Sequence, residues 1–193
     1  MIRRFLFITL LVTLDMTAQE LPYHQIPDAP ESYTAGNVIS RMVDGLGYRY
    51  YWATEGLTET DIQFKPSEDA RTVWETLQHI YGMSEIILNV PEATPNERPK
   101  DFSGHSFETL RAMTLNNLKT ASAKYRNGTE SELEGYQVIF QRGDAQFDFP
   151  LWNMLNGMLS DCIYHVGQIV AFRRMSGNPL DPKVNVFLGK NRE

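Results

Sequence analysis

The sequence predicts an all-α fold, a four-helix bundle, and three observations carry that prediction. Four separate segments place apolar residues at steps of three and four, the period of a helix face turned into a core. The segment Pro91–His105 holds three prolines and little apolar content, and is long enough to cross the end of a bundle instead of turning tightly. The 193-residue chain is 42% hydrophobic and 22% charged, the balance of one folded domain with a single sizeable core.

The N-terminus comes first. Arg3-Arg4 precede an apolar run from Phe5 to Leu14, and a small residue, Ala18, follows. A positive end, a short apolar stretch and a small residue read as a secretory signal peptide over residues 1–18, cleaved after Ala18. The run is too short to span a bilayer comfortably and no cysteine follows it, so neither a stable membrane anchor nor a lipid anchor is expected. The chain is therefore read as exported, to the periplasm or beyond. Loss of residues 1–18 removes Arg3, Arg4 and Asp15, a net +1, so the formal charge moves from -6 to -7. Such a body does not seek nucleic acid or an anionic membrane. Cys162 is the only cysteine, so the fold has no internal disulfide; on an apolar helix stripe a lone thiol reads as a small core residue.

Residues 19–30 form a polar, proline-rich extended lead-in containing His24, expected in solvent. The first helix starts near Glu31-Ser32 and runs to about Gly56, its stripe formed by Val38, Ile39, Met42, Val43, Leu46, Tyr50 and Ala53. Gly45 and Gly47 interrupt it and mark close packing against another helix. The second runs from about Ala70 to Val90, with Val73, Leu77, Ile80, Met83 or Ser84, and Ile87 inward and His79 at the edge of the stripe. The third spans Ser106 to Tyr125, capped by Ser106 and closed by Asn127-Gly128. Between the third and fourth, Glu134–Phe149 alternates around Arg142-Gly143-Asp144, the pattern of a small hairpin or extended loop. The long crossover after the second helix lets the second and third run parallel.

The fourth helix organises the rest. Within Leu151–Pro179 the apolar positions Leu151, Leu155, Met158, Cys162, Ile169 and Phe172 share a face, and His165 fills its gap. Pro150 starts the run and Ser176-Gly177-Asn178-Pro179 stops it, with Arg173 and Arg174 suited to the dipole of the last turn. Asp161, one turn before His165, leaves the same face. A carboxylate and an imidazole together on such a face are costly unless they pair or hold a metal. If the second and fourth helices are neighbours, His79 joins them, and two imidazoles with a carboxylate suit a borderline divalent cation. Gln168, on the same face, is placed to orient one of these ligands. No separate catalytic base stands out.

The segments Thr72-Val73-Trp74-Glu75-Thr76-Leu77-Gln78-His79-Ile80 and Tyr164-His165-Val166-Gly167-Gln168-Ile169, with the ending Arg173-Arg174…Gly177-Asn178-Pro179, resemble the DinB/YfiT-like superfamily of four-helix bundles. The resemblance covers the body over residues 31–193. It implies a metal site of three histidines, usually holding Zn or Ni, in proteins that include thiol-dependent transferases and isomerases, metal-dependent hydrolases and many without an assigned reaction. Carried onto this chain, His79 and His165 take two ligand positions, while the third, normally a histidine four residues before His165, is Asp161. A carboxylate is a harder ligand and shifts preference toward Mn, Fe or Zn. Thiol cofactors are cytoplasmic and this chain reads as exported, so the expected function is metal-dependent hydrolysis of an unknown small molecule. The alternative is a non-catalytic bundle that binds a ligand or partner through a relaxed or lost metal site. Members of that superfamily can form homodimers, although the sequence singles out no exposed apolar patch. Gly167 is read as permitting close approach of another helix.

Overall fold

The structure, a computed structural model, describes residues 20–102 and 104–193; the expected signal peptide lies outside the described residues. The chain is mostly helical with a small three-stranded sheet. In order come α1 (Ala35–Thr54), α2 (Glu59–Gln63), α3 (Val73–Asn89), β1 (Asn96–Glu97), α4 (Phe107–Asn127), α5 (Glu130–Gly135), β2 (Gln137–Arg142), β3 (Ala145–Pro150), α6 (Leu151–Asn153) and α7 (Ser160–Ser176). Among the described residues no helix is long and apolar enough to cross a membrane.

Side-chain caps set the helix starts. Ser106 accepts from the Thr109 amide as the sequence suggests. At α3, Thr72 accepts from the Glu75 amide while the Glu75 carboxylate accepts from the Thr72 amide, a reciprocal capping box. Helix α1 begins later than the expected Glu31-Ser32, because Thr34 takes the cap and Ser32 is occupied by the Asn37 amide group. Capping boxes at Thr58/Asp61 and Thr129/Glu132 also nucleate the short α2 and α5.

The four long helices contact one another in the cyclic order α1, α4, α3, α7. Arg111 near the start of α4 meets Thr54 at the end of α1, and Ser122 meets Ser40, so these two run antiparallel. The Tyr125 hydroxyl donates to the Ile87 carbonyl, and the Asn117 amide donates to Ser84, so α3 and α4 run parallel. The crossing segment between them donates β1, which lies parallel to β2, while β2 and β3 form an antiparallel hairpin with Phe140 opposite Phe147.

Of the lead-in, His24 is exposed as expected, while Tyr23 docks against the bundle. Tyr23 is buried, and its hydroxyl donates to the buried Asp44 carboxylate at 3.0 Å, which also accepts from Ser122 and pairs with Arg126 at 2.8 Å. Gly47 marks a close approach, but of the Tyr23 ring and not of a helix: a Cβ there would collide with that ring.

The fourth helix is not the single regular helix that its pattern suggests. Met154–Leu159 forms a π turn between α6 and α7, and the Ser160 hydroxyl donates to the Leu155 carbonyl at 2.8 Å. The buried seam is Met154, Leu159, Cys162, Val166, Ile169 and Arg173. Its first step is five and the rest are three and four, so the π turn absorbs one residue and rotates what precedes it. Leu155, Met158 and Phe172, expected inward, are only half-buried, and Arg173 takes the place assigned to Phe172. Its guanidinium donates to the Trp52, Ala53 and Glu55 carbonyls at the end of α1, and to the Asn178 carbonyl at 2.8 Å. Gly177, at φ 91°, closes the helix in the left-handed conformation. Asp61 completes the junction, accepting from Ser176 (2.5 Å), Asn178 (2.7 Å) and the Thr58 hydroxyl (2.7 Å). This brings the end of α7 beside the start of α3, so these two run antiparallel.

Burial raises the Asp61 pKa, but hydrogen bonds from Ser176, Asn178 and Thr58 outweigh it and hold the carboxyl well below the usual carboxylate range. A depressed folded pKa adds stability above the unfolded value and loses it as pH falls toward the folded one. Asp61→Asn should therefore lower stability by about 2 kcal/mol at neutral pH. That deficit should shrink below about pH 4, where the unfolded carboxyl begins to protonate. Urea unfolding of both proteins across pH checks this, and a deficit constant from pH 7 to acid contradicts it.

Candidate metal centre

The antiparallel packing of α3 against α7 brings together three of the residues that the sequence singles out. His79 sits two turns into α3, and Asp161 and His165 stand one turn apart in α7, beside the seam residue Cys162. The Asp161 Oδ2 lies 3.5 Å from His79 Nε2 and 3.4 Å from His165 Nε2, and one ligand atom from each residue falls within 4.8 Å of the others. The two imidazoles meet edge to face, with ring centroids 4.8 Å apart. The site is open on one side: the side chains of His79 and Asp161 are 38% and 46% exposed, whereas that of His165 is 11% exposed.

These distances bear on what the cluster can hold. Both nitrogen–oxygen separations exceed the range of a good charge-assisted hydrogen bond. They match the edge of a tetrahedron: ligands about 2.0–2.2 Å from a zinc-like ion, at tetrahedral angles, stand about 3.4 Å from each other. The protonation pattern agrees. His165 Nδ1 lies 2.7 Å from Gln168 Oε1, a partner that makes Nδ1 the donor, so that in the neutral ring Nε2 is the nitrogen left with a lone pair. That lone pair faces a carboxylate oxygen, an arrangement that a cation or a proton between them must reconcile. The His79 pKa is lowered, first by burial, then by the positive charge of Arg71 and by repulsion from His165 when that ring too is protonated, against the opposing pull of Asp161. Near neutral pH its imidazole is then uncharged and free to donate a lone pair. Two imidazoles and one carboxylate, with open coordination positions, fit a borderline divalent cation.

Gln168 stands where the sequence suggests. Two neighbours were not anticipated. The Tyr164 ring packs at 5.3 Å from the His165 ring on the solvent side, and only its place in the quoted segment hints at that role. Arg71, just ahead of the α3 cap, carries no signal in the sequence, because the path of a loop sets its distance from His79. The remaining histidines stand apart from the cluster: His105 packs against Tyr81, and His24 lies exposed against the Tyr51 and Trp52 rings. Burial pushes the Cys162 thiol well above its ordinary range, which suits a core residue and not a nucleophile. Gly167, expected to receive a neighbouring helix, has open space where a Cβ would stand.

No protein-family model matches the chain, and no curated protein matches it. Among solved structures, the crystal structure of a DinB-like protein, YjoA, from Bacillus subtilis is similar, with a TM-score of 0.56 at 16% identity over 72% of this chain and 92% of that one. The likeness shows a DinB-like fold.

In the metal-free protein, nitrogen NMR should find His165 as the Nδ1–H tautomer and His79 neutral at pH 7. Gln168→Leu should convert His165 to a tautomer mixture without unfolding the chain. An even mixture already present in the unsubstituted protein contradicts the orienting role of Gln168.

Proposed function

We propose that this chain is an exported, DinB-like four-helix bundle with a crossover between its second and third long helices, that it holds a divalent metal through His79, Asp161 and His165, and that it acts as a metal-dependent hydrolase on a small molecule. The observation that carries the metal reading is the convergence of two imidazole nitrogens from two helices on one carboxylate oxygen, His165 Nε2 at 3.4 Å and His79 Nε2 at 3.5 Å from Asp161. The Arg3-Arg4 and Phe5–Leu14 pattern supports export.

Each residue has a separate task. His165, nearly buried and fixed by Gln168, is the rigid anchor. His79 approaches from the other helix, so the site exists only when α3 and α7 are docked. Asp161 supplies the one negative charge, lowering the net charge of an occupied site by one relative to three histidines and moving the preference toward Mn, Fe or Zn. Tyr164 offers a ring face at the open side, where a substrate would arrive. A cation bound there supplies Lewis acidity, polarising a carbonyl or acidifying a water molecule. The cluster contains no further carboxylate or imidazole to act as a base, so proton transfer falls to solvent or to Asp161.

The competing reading is a bundle that binds a ligand without metal, with Asp161 paired to protonated imidazoles. Metal analysis of protein purified without chelator separates the two. Near one equivalent of Zn, Mn, Fe or Ni is expected, absent in His165→Ala and bound about ten- to a hundred-fold more weakly in Gln168→Leu. Affinity should fall as pH drops through the imidazole range, because protons compete for both His79 and His165. Metal-free protein whose melting temperature ignores added Zn, Ni and Mn supports the competing reading.

A further inference from the structure

The π turn before α7 has a second effect besides setting the rotation of that helix. Because it absorbs one residue, Met154 takes the buried place, and Leu151 and Leu155 stand half-buried to one side. They line a groove of about 570 Å³ between the start of α1, α5 and α6. Val38, 48% exposed, and the buried Leu133 complete an apolar floor, and Trp152, 73% exposed, stands at the wall. Turns of this kind recur at functional sites. Here the core loses two leucines and the surface gains a groove. Glu130 and Glu134 line its edge, one turn apart on α5. The Glu132 carboxylate between them in sequence is engaged by the Thr129 cap, whereas the side chains of Glu130 and Glu134 have no hydrogen bond or ion pair among the described residues. No lysine or arginine lines the groove. Two like charges one turn apart repel each other, and a cation brought between them relieves the repulsion.

We infer that this groove binds a small hydrophobic amine, its apolar body along Leu151, Leu155 and Val38 and its protonated nitrogen between Glu130 and Glu134. The charge at the edge selects the sign of the ligand, and the exposed indole of Trp152 adds a ring on which a cation can sit. Size selects a small molecule. The volume falls in the range of small-ligand pockets. Along α1 only Ala35, Val38 and Ile39 reach the groove, about one turn, which is too short to seat a partner helix anchored over two turns. None of His79, Asp161 and His165 lines it, so the site stands apart from the candidate metal centre and does not depend on whether that centre is loaded.

Three probes that share one body test this: phenylhexylamine, phenylhexanol and phenylhexanoate, which are cationic, neutral and anionic near neutral pH. The chain has three tryptophans, so three indole N–H signals are followed by NMR, and Trp152→Leu identifies that of Trp152. The amine should shift the Trp152 signal and leave those of Trp52 and Trp74 in place, with a Kd of about 1 mM or below. The alcohol should bind about ten-fold more weakly, and the carboxylate more weakly still. Glu130→Gln combined with Glu134→Gln should weaken the amine about ten-fold and leave the alcohol unchanged, a difference that a loss of stability does not produce. Val38→Arg, at an exposed helix position, should put a cation into the groove and exclude the amine while circular dichroism stays unchanged. An amine that binds no better than the alcohol, a double variant that holds it as tightly, or shifts at Trp52 or Trp74 in place of Trp152 overturn the inference. So does the absence of amine binding up to about 10 mM, whether the groove stays empty or a second copy covers it, the latter seen as a Trp152 signal that moves on dilution.

Discussion

The rotation of α7 about its own axis is the constraint on which the fold and the site both depend. Arg173 fixes it at one end. A buried guanidinium must have its donors satisfied, and here three carbonyls at the end of α1 and the Asn178 carbonyl satisfy them. Rotation of the helix by one residue would leave that charge unpaired inside the protein, at a cost of several kcal/mol. With Arg173 set, Ile169, Val166 and Cys162 must face the core, and Asp161 and His165 follow at its edge. The π turn then reconciles this rotation with the stretch before it, where Met154 rather than Leu155 is buried.

That setting explains why Asp161 and His165 are tolerable beside the buried seam of α7. His165 lies at the margin of the core and satisfies its inner nitrogen on Gln168, while Asp161 is far enough out for water to reach it. A histidine in place of Asp161 would bring three neutral donors; the carboxylate brings charge. In metal-free protein that charge offsets part of the desolvation of His79, and beside a cation it stabilises the cation directly.

Helical periodicity made the long helices legible, and the spacing of Asp161 and His165 made the core of the site legible with them. Convergence of His79 followed from a packing guess that the antiparallel contact of α3 and α7 fulfils. What periodicity could not reveal was the π turn, because one residue absorbed in a helix leaves an unbroken apolar run and shifts only its phase. For the same reason Arg173 read as a dipole complement and Phe172 as core. The docking of Tyr23 in the notch at Gly47 left no trace in the sequence, because it joins residues far apart in the chain. The short α2 and α5 also escaped the sequence reading, which takes Leu57–Asp61 as a connection: the pairs Thr58/Asp61 and Thr129/Glu132 cap helices too short to carry an apolar stripe. Arg71 belongs to a loop, whose course no local pattern records.

The openness of the cluster also bears on its chemistry. Electrostatic leverage on a reacting group grows as water is excluded, and a site whose carboxylate is nearly half exposed keeps much of its water. That openness is compatible with the proposed reading, in which water is the second substrate. No described helix closes over the Tyr164 side of the pair, so a substrate can approach without a large rearrangement and must gain its orientation from the few groups there. Foremost there is the Tyr164 ring, which under the proposed hydrolytic reading favours a substrate with a flat face near the bond to be cut. A carbonyl conjugated to a planar group meets that condition, so under the same proposal an amide or ester of that kind is the natural first class to assay.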